Sequence, residues 1–128
     1  LMDAGPRRGG EALTDYARRG AAYIQRNYSR PMGVEETARA TGVSRSCLYR
    51  AFQSEFGCSP GDYLTRYRIQ RARELLRHSA LPIGAVAASV GFQDPLYFSR
   101  AFRRETGESP SAWRSAHGKT GEKGTGQP

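Results

Sequence analysis

The sequence predicts an all-α fold in which two helix-turn-helix subdomains are joined by a long linker helix, about seven helices in total. Three observations carry this: a block of residues that recurs, a turn glycine at the matching place in each copy, and apolar residues at helical rather than alternating spacing. The block Leu48-Tyr-Arg-Ala-Phe-Gln-Ser-Glu-Phe-Gly-Cys-Ser-Pro60 returns 50 residues later as Phe98-Ser-Arg-Ala-Phe-Arg-Arg-Glu-Thr-Gly-Glu-Ser-Pro110. Upstream, Val34, Ala38 and Gly42 correspond to Ile83, Ala87 and Gly91 at an offset of 49, so the second copy has one extra residue ahead of its second helix. The chain is a duplicated unit.

Taken in order, residues 1–11, rich in Gly, Pro and Arg, have no apolar periodicity and read as a flexible N-terminal extension to a domain over 12–117. An opening helix from about Ala12 to Tyr28 places Leu13, Ala17, Ala21, Ile24 and Tyr28 on one face and stops before Pro31. The first helix-turn-helix spans about 33–56. Within it, Val34 to Ala40 is a short helix marked by Val34, Thr37 and Ala38, and Thr41-Gly42-Val43 turns the chain, Gly42 suiting the positive φ of such a turn. Ser44 caps a second helix from Arg45 to Phe56 that Gly57 ends. Leu48, Ala51, Phe52 and Phe56 form its buried stripe, leaving Arg45, Ser46, Tyr49, Arg50 and Gln53 on the other face.

Ser59-Pro60 reads as a helix cap followed by the first helical residue, opening the linker helix over about 60–78 with Leu64, Tyr67, Ile69, Ala72, Leu75 and Leu76 as its apolar residues. The second helix-turn-helix spans about 82–106: Ile83 to Ser89, the turn Val90-Gly91-Phe92, the cap Asp94, and Pro95 to Thr106. There Phe98, Ala101 and Phe102 face inward, while Leu96, Tyr97, Arg100, Arg103 and Arg104 face out. Ser109-Pro110 starts a brief last helix to about Ala116, anchored by Trp113, and residues 118–128 read as a disordered tail.

Charge narrows the partner. Lys and Arg number 20 against 12 Asp and Glu, a formal net charge of +8, and 18 of the 20 are Arg. Such a balance points to an anionic polymer or surface, and the planar arginine fork suits phosphate or a guanine edge, although a GC-rich genome would favour Arg as well. No apolar run reaches the length of a membrane span or a secretory core, which points to a cytoplasmic protein with no membrane partner. Cys47 and Cys58 read as reduced thiols with no partners at metal-ligand spacing, so neither metal nor cofactor is implied. An enzyme finds no support: there is no Gly-rich phosphate loop after a strand, and His78 and His117 lie at helix or domain ends. No catalytic residue is assigned.

In a helix-turn-helix the second helix enters the major groove, so the outward residues of its first two turns are the candidate readers. Arg50 and Arg100 hold equivalent outward positions, and each suits guanine O6 and N7 or a phosphate. Tyr49 and Tyr97 offer a hydroxyl with an apolar ring, and Leu96 suits a thymine methyl; core packing or a contact across the two lobes is the other reading of Leu96 and Tyr97. Ser44, Gln53, Arg103 and Arg104 are candidate phosphate contacts, with a solvated helix face as the plain alternative for the two arginines, as for Arg66, Arg71, Arg73 and Arg77. Arg68, inside the apolar stretch of the linker helix, reads as structural. The rival to DNA binding is a helical protein-interaction adaptor that does not bind DNA specifically.

Over Leu13 to His117 the chain resembles the AraC/XylS family of bacterial transcription regulators. The resemblance rests above all on Gly91-Phe92, Asp94, Tyr97-Phe98, Arg100, Phe102, Gly107, Ser109-Pro110 and Arg114. It implies a C-terminal DNA-binding domain whose two second helices lie in adjacent major grooves of a double-stranded promoter, with activation through contact with RNA polymerase. The base-contacting places of the family fall on Arg45, Ser46, Tyr49 and Arg50 in the first unit and on Pro95, Leu96, Tyr97 and Arg100 in the second. Ser46 and Tyr49 stand where many members have Trp with a hydroxyl or amide nearby, Pro95 and Leu96 replace polar residues, and Trp113 stands where Tyr is common. The resemblance also implies a separate N-terminal sensor or dimerisation domain, and a start at Leu1 rather than Met is compatible with a piece of such a longer regulator.

Overall fold

The computed structural model describes residues 9–118, and among these every regular element is a helix: α1 (Gly9–Asn27), α2 (Val34–Thr41), α3 (Arg45–Phe56), α4 (Pro60–His78), α5 (Ile83–Ser89), α6 (Pro95–Thr106) and α7 (Pro110–His117). They belong to two units. One comprises residues 9–27 with Met32–Leu64, and the other comprises Tyr28–Pro31 and residues 65–118, so that α4 begins in the first and ends in the second.

In the first unit α1 packs on both α2 and α3. Its inner face holds Ala17, Ala21 and Ile24, all buried, and Gly20, which the apolar pattern passes over. A Cβ at Gly20 would lie 2.9 Å from Phe52 Cε1 and 3.1 Å from Leu48 Cδ1, so the missing side chain is what lets α1 close on α3. Phe52 is fully buried and meets Phe56 and Tyr63 edge-on at 5.1 and 5.3 Å between ring centroids. Two hydroxyls lie in this interior, each returned to its own helix: Thr37 Oγ1 donates to Gly33 O at 3.0 Å and Thr41 Oγ1 to Thr37 O at 2.8 Å. Gly42 takes φ 84° at the end of α2, where its N–H reaches Ala38 O and Arg39 O, and Arg19 Nη1 donates to Thr41 O at 3.1 Å.

The second unit is built around Ile69, Ala72 and Leu76 of α4, Val86 and Ala87 of α5, Val90 and Phe92 of the turn, Phe98, Ala101 and Phe102 of α6, and Trp113. Trp113 stands edge-on to Phe102 at 5.9 Å, the anchoring role its position predicts. Arg114 closes the end of α4, its Nε donating to Leu76 O at 3.1 Å and its Nη2 to Ser79 O at 3.2 Å. Leu76 O is a carbonyl of the last turn that the helix itself leaves unpaired, and a cation is favoured at that end. Arg114→Ala is therefore expected to cost about 2 kcal/mol, the loss of charged hydrogen bonds from partly buried carbonyls, readable as a lower urea midpoint with an unchanged slope.

Four boundaries differ from the sequence reading, the end of α2 at Thr41 rather than Ala40 among them. The opening helix starts at Gly9, not Ala12: the glycines are poor helix formers, but Glu11 in the first turn favours a helix N-terminus. It ends at Asn27, and Tyr28 leaves the apolar face of α1 for the second unit, where its ring meets Tyr67 edge-on at 5.1 Å. At the other end α7 extends to His117, and buried Gly118, expected in the tail, donates to Arg114 O. The expected flexible stretch over 1–8 and the rest of the tail, 119–128, lie outside the described residues.

Candidate nucleic-acid interface

Each second helix is held at both ends by local chemistry. Ser44 Oγ accepts from Cys47 N at 3.1 Å and Gly57 ends α3 at φ 71°; Asp94 Oδ1 accepts from Leu96 N at 3.0 Å and Gly107 ends α6 at φ 88°. With both ends fixed and Leu48, Ala51 and Phe52, or Phe98, Ala101 and Phe102, fully inside, the opposite face of each helix must look outward. Arg45, Ser46, Tyr49, Arg50 and Gln53 are all exposed on α3, as are Pro95, Leu96, Tyr97, Arg100, Arg103 and Arg104 on α6. Leu96 is 59% and Tyr97 47% exposed, which excludes core packing as their role.

The structure brings the four first-helix candidates into one open cleft of about 690 Å³, lined by Arg45, Ser46, Tyr49 and Arg50 together with Val34 and the Ser59-Pro60-Gly61 start of α4. Sequence reasoning took Ser59-Pro60 only as a cap; its place beside α3 follows from how the chain returns after Gly57. Arg45 Nη1 lies 3.5 Å from Glu35 Oε2 in a pair exposed on both sides, a weak tie that a stronger anion can replace. Among the described residues no carboxylate pairs with Arg50 or Arg100. A cleft of about 320 Å³ in the second unit lies elsewhere, lined by Gln70, Arg73, Glu74, Arg77, Trp113 and His117. Arg73 there is exposed, as the solvated-face reading expects, and stands 5.8 Å over the Trp113 ring.

Arg68 is structural, as its place in the apolar stretch of α4 suggests. Its Nε donates to Tyr28 O at 2.9 Å and its Nη2 to Arg30 O at 3.0 Å, with the guanidinium 5.7 Å over the Phe92 ring. Burial pulls this guanidinium below the usual arginine range, partly opposed by Tyr97. Among the described residues, neither Cys47 nor Cys58 is in a disulfide. No helix of the described residues is long and apolar enough to cross a membrane.

A helix-turn-helix domain family model matches residues 37–116. The lactose operon transcription activator of Staphylococcus xylosus is 38% identical over 92 residues, which cover 72% of this chain and 33% of that protein. The transcriptional activator RhaR of Cronobacter sakazakii is 45% identical over 88 residues, covering 69% and 31%. The chain thus spans about a third of the length of the curated relatives it matches. Among solved structures, the C-terminal domain of AraT, a response regulator from Geobacillus stearothermophilus, aligns with a TM-score of 0.77 at 36% identity, covering 80% of this chain and 86% of that one. The DNA-binding domain of the global transcriptional factor AdpA, solved in complex with a target DNA, aligns with a TM-score of 0.75 at 29% identity, covering 88% and 98%.

Proposed function

The chain belongs to the AraC-type helix-turn-helix family, and from that we infer that it is the sequence-specific, double-stranded DNA-binding domain of a bacterial transcription activator, working in the cytoplasm at the nucleoid. The observation that carries this is the repeat made physical: two capped helices, 50 residues apart in the chain, each present at the same position an exposed arginine, Arg50 and Arg100, that no carboxylate among the described residues pairs with. Arg45, Ser46, Tyr49 and Arg50 read bases in one major groove, and Pro95, Leu96, Tyr97 and Arg100 read the next. Ser44, Gln53, Arg103 and Arg104 hold phosphates. One copy of this domain then reads a bipartite site as a monomer. RNA polymerase is the partner through which activation follows, and an N-terminal sensor or dimerisation domain is a further partner in a longer regulator.

Selection of bound sequences from a random duplex pool tests this, run on the native domain and on Arg50→Ala and Arg100→Ala. The expected result is a site with two submotifs about 34 Å apart, each variant relaxing a different submotif by about 1–3 kcal/mol of base discrimination. A pool from which nothing is enriched supports instead a phosphate binder that needs a partner domain, or the interaction adaptor.

A further inference from the structure

The two reading helices carry opposite chemistry at their front ends. At an offset of 50, Arg45 and Ser46 of α3 correspond to Pro95 and Leu96 of α6, so a guanidinium and a hydroxyl are replaced by two hydrocarbon side chains. Pro95 has no N–H, and the carboxylate of the preceding residue, Asp94, already accepts the Leu96 N–H through Oδ1. Tyr97 continues the apolar surface, its ring 5.8 Å from the buried Phe92 ring, which steadies it. Pro95, Leu96 and Tyr97 are thus three consecutive exposed residues with a mainly hydrocarbon surface at the end of the helix that enters the groove. The apolar feature that a major groove offers is the C5-methyl group of a pyrimidine.

We propose that α6 reads its half of the site through pyrimidine C5-methyl groups, with Leu96 as the specificity-determining contact, whereas α3 reads polar base edges. This rests on the DNA-binding function inferred above. Thymine is the ordinary source of the methyl, and 5-methylcytosine carries the same group at the same place, so methylation of a cytosine in this half-site raises affinity.

The test uses the site obtained by selection and measures binding to duplexes in which each thymine of the half-site relaxed by Arg100→Ala is replaced by deoxyuridine, which removes only the methyl. Loss of about fourfold is expected at the contacted thymine, the worth of one buried methyl-sized group. Leu96→Ala, an exposed change expected to leave the melting temperature unaltered, should bind thymine and deoxyuridine duplexes alike. A 5-methylcytosine·guanine pair at that position is expected to bind better than cytosine·guanine; equal binding of these two assigns the contact to thymine alone. The proposal is overturned if no deoxyuridine replacement weakens binding, or if Leu96→Ala keeps the discrimination. A pool that yields no site defeats DNA reading itself, whereas a selected site indifferent to its methyl groups defeats this inference alone.

Discussion

Gly91→Ala is expected to lower stability by about 4–5 kcal/mol, while Gly42→Ala, the corresponding change in the other copy of the repeat, costs about 1–2 kcal/mol. Both glycines take a positive φ, 99° and 84°, so each alanine meets the same left-handed strain. The surroundings separate them. A Cβ at Gly42 meets nothing within 4 Å, whereas at Gly91 it would sit 2.2 Å from Tyr28 O and 2.8 Å from Arg68 Nε. Relieving that overlap pushes the Tyr28–Pro31 segment off Arg68 and breaks the hydrogen bonds to Tyr28 O and Arg30 O. Hydrogen bonds to a charged donor are worth about 1.5–3 kcal/mol each, and the change takes a large share of the 5–15 kcal/mol typical of a whole domain. Urea denaturation of the two variants is the check. Arg68→Ala should not rescue Gly91→Ala, because the backbone carbonyl remains in the way; equal midpoints for the two glycine variants would show that the Tyr28 segment imposes no constraint.

Affinity for the selected duplex is expected to fall on the order of 1,000-fold between 50 and 200 mM salt, the behaviour of a domain that displaces counterions from about six phosphates. A count of arginines alone predicts more. Of the 18 in the chain, Arg68 and Arg114 donate to backbone carbonyls and hold the fold, so their charge is directed inward, and exposed Arg19 is shared between Thr41 O and the Asp15 carboxylate. Arg18, Arg45, Arg66, Arg71 and Arg104 stand beside carboxylates in exposed or half-exposed pairs. Such pairs are worth about 0–1 kcal/mol and open readily to phosphate. A plot of log affinity against log salt should therefore have a slope near about −5, and Arg103→Ala should make it shallower by about one. A flat plot would favour the protein-interaction adaptor.

The sequence by itself determined whatever depends on neighbours in the chain. Caps at Ser44, Ser59, Asp94 and Ser109, terminating glycines at Gly42, Gly57 and Gly107, and apolar spacing along α3 and α6 all act within one or two turns, and the bounds of α3 and α6 and the starts of α4 and α7 follow from them. The outward sets on α3 and α6 were legible for the same reason, since a helix with one buried stripe leaves the other face to solvent. Only the tertiary structure decided what joins distant parts of the chain. Arg19, Arg68 and Arg114 reach carbonyls 22, 40 and 38 residues away, and no local pattern separates such an arginine from one facing solvent. Gly20 reads as a defect in α1 until Phe52 is placed against it, Tyr28 reads as the next residue of an apolar stripe until the chain leaves the helix, and Ser59-Pro60-Gly61 reads as a cap until it lines the α3 cleft. In each case propensity is set by covalent neighbours, whereas the role comes from excluded volume and unpaired carbonyls contributed by residues far along the chain.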